Sequence, residues 1–477
     1  MNLAIHLDRG TPMSLQDQLF EQLRQMILSG HLKPNSRVIA TRFLADQAGV
    51  SRTTVLLAYD RLISEGYLET RPAVGTFVSA TPPEQPGVDR SIPSCEARAA
   101  CEPDGCEPGL TSEFDFSRWR KDASHLLPDK AWLQGLRNVL DKQKDGLGVR
   151  QPSAGATVLR QAIVDHLAAS RGVVASPDDV VIVAGRRQAC TLIAHAVLAR
   201  GDRIVVESPG DEDINTIFRI RGGELLRAPV DEQGADTARL PAGPVRLAYV
   251  TPARQNPVGG TMPTNRRAEL LAWAHTVGAF IIEDDCDASI RYHGTPPRPL
   301  KVQDPDGRVF YTGSFSETLG AGVGLGYLVA PTALVDTILA IKSAGEEAGA
   351  WLEQMIVADL LTTGAYDKHI RRVRKIYLER RDCLIDALRT KFGDVRLVGD
   401  QTGAQLTWIL PGHWPSAQHV CDLARLNGVI LEPVLSDLVS DDNSCLFHDR
   451  AVILGYAGLP PDQLRDGVSR LHECLQF

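Results

Sequence analysis

No stretch of about 18 consecutive apolar residues occurs in the 477-residue sequence, which leaves no candidate for a membrane-spanning helix. The first residues lack the basic start, apolar centre and small-residue cleavage pattern of a secretory signal, so a cytoplasmic location is expected. Cysteine is sparse and odd in number: nine residues scattered along the chain make no disulfide framework and fit a reducing compartment. No internal repeat is visible. What is present is 43% hydrophobic and 23% charged residues, the composition of a folded, water-soluble protein, at a length that implies roughly two to four domains.

The formal net charge is -8, yet residues 1–80 hold eight Lys and Arg against seven Asp and Glu and stand at +1. If nucleic acid is bound, that segment repels it least. Residues 81–113 are rich in Pro, Gly, Ser and charge and show neither helical nor strand period, which reads as a flexible linker. Cys95, Cys101 and Cys106 lie in it, separated by five and four residues and without a histidine. Zinc sites use tighter pairs, so free thiols and no metal are expected. The chain thus divides into a block at 1–80, the linker, and a large block at 114–477.

In the first block Leu15, Leu19, Leu23, Ile27 and Leu28 share one helical face, with Gly30 expected as C-cap. A short helix through Arg42 is expected to end at Gly49, and Ser51 is placed to cap the next helix, about Arg52 to Glu65. Val55, Tyr59, Leu62 and Ile63 then point inward, leaving Arg52, Thr53 and Thr54 at an exposed N-terminal end, where helix-turn-helix proteins enter the major groove. Gly66 to Arg71 reads as a strand, Pro72 to Gly75 as a turn, and Thr76 to Val78 as the antiparallel partner, together a wing. On these local features alone, a helical dimerisation module stays open as the plainer reading.

The ordered string GVSRTTVLLAYDRLISEGYLETRPAVGTFV, from Gly49, resembles the winged helix-turn-helix of the GntR superfamily almost without gaps, and the resemblance covers residues 10–80. It implies that Arg42, Arg52 and Thr54 approach double-stranded operator DNA, with Ser51 and Thr53 near phosphates and Arg71, Gly75 and Thr76 at the wing. Arginine can contact guanine bidentately, while hydroxyls and helix N-termini hold phosphates.

The large block contains the apolar segments Val180–Gly185, Arg203–Glu207, Arg246–Val250 and Ala279–Asp284, separated by helix-like stretches such as Arg187–Leu198 and Asn265–Val277. This alternation predicts an α/β domain with a largely parallel sheet, whose ligands bind beyond the carboxyl ends of the strands. Gly185, Asn256, Asp284 and the Ser314–Gly326 loop fall there. The motifs at Thr251–Gly259, Ile282–Asp287, Ser314–Leu319 and Gly326-Tyr327, in that order, resemble fold-type I pyridoxal phosphate enzymes, the aminotransferase-like fold. With the GntR-type head, the chain resembles the MocR family of bacterial transcription regulators from about residue 10 onward. The resemblance implies a homodimer, head-to-tail; a small-molecule effector is the further expected partner, and the lack of an apolar span leaves no membrane partner expected.

The chemistry of the family's cofactor makes demands that can be checked position by position. A Schiff base needs a lysine amine, and the resemblance places Glu317 there. The family's phosphate-binding arginine falls on Gly324, the tyrosine after the ring-nitrogen aspartate on Cys286, and the ring-stacking aromatic on Asp211. The arginine that grips a substrate carboxylate falls on Ile453. Asp284, Asn256 and Gly185 survive. Arg186 and Arg187 stand where small or amide residues are usual, as a surface pair at a helix start or as an anion site. Lys301 and Lys342 share no loop with the motif, and neither is expected to replace the lost lysine. The expected function is a sequence-specific DNA-binding regulator with a catalytically inactive aminotransferase-like domain and no covalent cofactor. The alternative is a pyridoxal-dependent aminotransferase with an accessory head, against which Glu317 argues directly.

Overall fold

The computed structural model describes residues 5, 7, 8, 10, 13–71, 74–80, 113–117, 127–285, 288–346, 349–436 and 447–475. Two compact units are present, residues 1–107 and 108–477. Nearly all of the expected linker, with Cys95, Cys101 and Cys106, lies outside the described residues, as does Cys286.

In the first unit, helix α1 (Leu15–Leu28) starts where the Ser14 hydroxyl accepts the Asp17 N–H, and it buries Leu19, Phe20, Leu23 and Ile27. Ser29 is its C-cap, one residue earlier than expected, and Gly30 follows at φ 76°. Helix α2 (Thr41–Ala48) ends on Gly49, whose left-handed φ of 62° suits a residue without Cβ. Helix α3 (Arg52–Ser64) begins at once, capped by Ser51 Oγ accepting the Thr54 N–H at 3.1 Å. Val55, Ala58, Tyr59 and Leu62 face the core, and Ile63, expected inside, is only half-buried.

Two contacts fix the crossing of these helices. Tyr59 donates its hydroxyl to Ile39 O at 2.8 Å, and Arg61 pairs with Asp17 at 2.9 Å while lying over the Phe20 ring. Strands β1 (Leu68–Arg71) and β2 (Gly75–Val78) pair antiparallel as the expected hairpin, Leu68 opposite Val78 and Arg71 opposite Gly75. The strand starts at Leu68 rather than Gly66, because Gly66 turns the chain at φ 82°.

The second unit opens with β3 (Phe114–Asp115) and is built on an eight-stranded sheet. Its strands are β4 (Val180–Val183), β5 (Arg203–Ser208), β6 (Glu224–Asp231), β7 (Gly234–Ala235), β8 (Leu247–Val250), β9 (Phe280–Asp284), β10 (Val309–Ser314) and β11 (Gly326–Val329). The spatial order is β4-β11-β10-β9-β8-β5-β6-β7. The five neighbours from β10 to β6 run parallel, as expected, but β11 lies antiparallel between β10 and β4, and β7 is antiparallel to β6. The sheet is therefore mixed. Residues 315–325, which join β10 to β11, are too few for the crossover that a parallel pair needs.

Helices Arg186–Val197, Glu212–Ile220 and Thr264–Val277 fill the connections between strands. Beyond the long helix Ala365–Phe392, strands β12 (Arg396–Val398) and β13 (Gln405–Ile409) join two later strands in a second, four-stranded sheet. Strand β14 (Val429–Ile430) instead pairs in parallel with β3, while β15 (Glu432–Pro433) and β16 (Ala451–Gly455) complete that second sheet. No helix among the described residues is long and apolar enough to cross a membrane.

Candidate functional sites: nucleic-acid interface and pocket

In the first unit, tight turning at Gly49 and capping by Ser51 leave the first turn of α3 at the surface. Ser51, Arg52 and Thr53 are exposed, Thr54 is half-buried, and Arg42 is exposed in the first turn of α2. The Ser51 and Thr54 hydroxyls also lie 2.8 Å apart, so each side chain orders the other. The wing residues are braced from within. Arg71 donates to Glu69 at 2.5 and 2.9 Å and to Asn35 Oδ1 at 3.0 Å, and its guanidinium lies over the Phe77 ring. Thr76 is half-buried, and its carbonyl accepts the Val38 N–H at 3.0 Å. Gly75 has φ 131°, and a Cβ there would meet the Arg37 guanidinium at 3.0 Å. Arg37 is therefore a wing residue that sequence pattern alone did not reveal; it precedes α2 and reaches β2 by a bridge to Phe77.

In the second unit the carboxyl ends of β4, β5, β8, β9 and β10 bring Gly185, Asp211, Asn256, Asp284 and Glu317 to one edge of the sheet. Asp284 ends β9, is buried, and accepts the Tyr249 hydroxyl at 2.6 Å. Tyr249 comes from the neighbouring parallel strand β8, opposite Ile282. Burial and the Asp284 carboxylate together push the Tyr249 phenol well above its usual range.

Asp211 caps helix Glu212–Ile220, its side chain accepting the Ile214 N–H. The other carboxylate oxygen accepts the Asn256 side-chain amide at 2.9 Å and pairs with Arg186 at 2.7 Å. Asn256 is itself placed by its own N–H, which donates to the Thr251 hydroxyl at 3.0 Å. Arg186 opens the helix that follows Gly185, which sits at φ 138° with open space where a Cβ would stand. Cys190, one turn along that helix, is fully buried, and its thiol is pushed up by burial and by the Asp284 carboxylate.

Arg187 does not join this cluster: it is exposed and pairs with Asp213. Each arginine of the pair thus faces a carboxylate, Arg187 at the surface of the helix start and Arg186 in the largely buried cluster. Glu317 lies half-buried on the short helix Ser316–Leu319, directly after β10. Gly324 takes a left-handed conformation at φ 55°, and Ile453 is buried inside β16. The two remaining candidate amines are engaged elsewhere. Lys342 pairs with Glu346 at 3.0 Å and Lys301 donates to Val309 O at 2.7 Å.

Beside this cluster, Glu207 near the end of β5 is fully buried. It accepts the Thr251 hydroxyl at 2.5 Å, the Thr251 N–H at 3.2 Å and the Gln255 amide at 3.1 Å, and burial outweighs these bonds to raise its carboxyl to about 7. Asp285 pairs with Arg171 at 2.7 and 2.9 Å, both nearly inaccessible. Neither Tyr249 nor Glu207 was legible as part of the site; the only hint was their position near the ends of predicted strands.

Residues 15–78 match the bacterial regulatory proteins of the gntR family, and residues 117–435 match the aminotransferase class I and II family. Over 98% of its length the chain is 31% identical to the probable rhizopine catabolism regulatory protein MocR of Rhizobium meliloti, covering 95% of that protein. It is 33% identical to the HTH-type pyridoxine biosynthesis transcriptional regulator PdxR of Corynebacterium glutamicum, across 81% of this chain and 82% of that one. Among solved structures, Pyrococcus horikoshii kynurenine aminotransferase superposes with a TM-score of 0.69 at 25% identity, covering 77% of this chain and 91% of that one. Fold and interface together define a DNA-binding transcription regulator that carries an aminotransferase-like domain. More particularly, the chain belongs to the MocR-type regulators, GntR-type heads fused to a class I and II aminotransferase fold.

Proposed function

We propose that this regulator reads DNA through Arg42, Ser51, Arg52, Thr53 and Thr54, with Arg71, Gly75 and Thr76 at the wing, while its large unit has given up pyridoxal phosphate chemistry. The capped and exposed first turn of α3 supports the first part: a helix N-terminus carrying hydroxyls holds phosphates, and Arg52 beside it can reach guanine.

The second part rests on the Arg186–Asp211–Asn256 cluster. Pyridoxal phosphate needs an aromatic face over its ring, a carboxylate for its ring nitrogen and an amine for its aldehyde. At the corresponding places Asp284 still offers a carboxylate, but Asp211 is ion-paired where an aromatic is needed and Glu317 offers no amine. These residues do not fit the group. The large unit serves instead for homodimerisation, head-to-tail as in the family, and for sensing a small molecule, and the protein acts in the cytoplasm on paired half-sites. Effector binding that favours one arrangement of the two heads shifts operator affinity.

A second reading, a ligand-free dimer clamp, is favoured by the mutual pairing of Arg186 and Asp211. One experiment separates these readings: visible spectra of protein from pyridoxine-fed cells, before and after borohydride, followed by thermal titration with small amines and acids. An aldimine band sinks the loss of cofactor chemistry. A midpoint raised by a small molecule supports sensing, and a midpoint that none moves supports the clamp.

A further inference from the structure

The outward face of α3 is unusual for a helix that enters DNA. With Val55, Ala58, Tyr59 and Leu62 turned to the core, helical periodicity puts Thr53, Leu56, Leu57 and Asp60 on the opposite side, next to Arg52 at the start. Leu56 is 40% exposed and Leu57 47%, although both are large and apolar. Arg52 stands at the start of this face, and Asp60 is an acid. Arg61, one turn beyond Leu57, is exposed but already engaged by Asp17 and Glu65. Little remains here for reading bases by hydrogen bonds.

An isolated exposed leucine needs no explanation, but two adjacent ones just beyond a capped N-terminus, on the face that docks, place apolar carbon where base edges pass. The major groove offers one apolar mark, the 5-methyl group of thymine, and apolar side chains recognise it. We propose that Leu56 and Leu57 read thymine methyl groups in the operator, with Arg52 left to contact guanine. The inference rests on major-groove docking of α3, and the test keeps that premise separate.

The operator is first selected with the full-length protein from random duplex DNA, and each thymine is then replaced by deoxyuridine, which removes the methyl and leaves pairing unchanged. At one or more positions the replacement is expected to weaken binding about fourfold per methyl lost from contact. The Leu56→Ala/Leu57→Ala variant alters only exposed side chains and keeps strong helix formers, so its melting midpoint is expected to stay put. It is expected to bind thymine and deoxyuridine operators alike, at the weakened affinity. Equal binding of both DNAs by the unaltered protein overturns the proposal while leaving DNA recognition intact. So does a double variant that retains the thymine preference. Failure to enrich any sequence overturns the docking premise itself.

Discussion

A guanidinium nitrogen of Arg186 lies 2.7 Å from Asp211 Oδ2, joining the first turn of helix Arg186–Val197 to the N-cap of helix Glu212–Ile220. The Asp211 side chain is 5% exposed and that of Arg186 22%, so the pair is largely removed from water. Asn256 binds the same carboxylate oxygen from a third segment. Three segments of the chain thus meet at the one Asp211 carboxylate.

Arg186→Ala removes the cation from a buried carboxylate. It is expected to lower the stability of the large unit by about 1–3 kcal/mol, the partial exposure of Arg186 keeping the loss below that of a fully buried pair. A double-mutant cycle with Asp211→Asn, followed by urea unfolding, measures the coupling. Additive losses would mean that the pair contributes no coupling of its own.

On the proposed loss of cofactor chemistry, Glu317→Lys supplies an amine but neither the stacking face nor the phosphate partner. The variant, incubated with pyridoxal phosphate and an amino donor, is expected to show no transaminase turnover. Turnover by this single variant would show that the site has decayed far less than its residues indicate.

Arg52→Ala is expected to weaken operator binding by roughly 1–3 kcal/mol if the guanidinium contacts a base, with an unchanged melting midpoint because Arg52 is exposed. Fluorescence anisotropy with labelled operator reads this directly. Undiminished binding would remove Arg52 from the interface.

The Glu207 carboxyl, raised by burial to about 7, gives a pH signature. A carboxyl whose folded pKa exceeds its unfolded value favours the folded state while protonated. That contribution is complete below about pH 4 and is lost as pH rises through about 7, up to about 3 kcal/mol in all. Glu207→Gln removes the titration, so its midpoint relative to the parent is expected to climb between pH 5 and pH 8 in thermal melts. A difference independent of pH would place the Glu207 pKa near its ordinary value.

Much of the head was legible in sequence because its signals are local. Gly49 with Ser51, and the apolar spacing of α1 and α3, fix turns and faces over a few residues. Strands of the large sheet were legible for the same reason, whereas the reversed direction of β11 depends on which strand it meets in space. The pocket divided likewise. The resemblance singled out Asp211, but its pairing with Arg186, 25 residues away in sequence, could not be read. The placement of Tyr249 against Asp284 needed the order of β8 and β9 as well.

The pairing of β3 with β14 has a mechanical consequence. Phe114 N–H donates to Gly428 O and Phe116 N–H to Ile430 O, each at 3.0 Å, while Phe116 O accepts the Gly455 N–H at 2.7 Å and its ring is fully buried. The chain arriving from the head is therefore rooted in the C-terminal layer, not in the eight-stranded sheet. The anchor at Phe114–Phe116 therefore moves as part of the smaller of two plates: a hinge motion of that layer carries the anchor with it, whereas a rearrangement confined to the larger sheet leaves the anchor where it was.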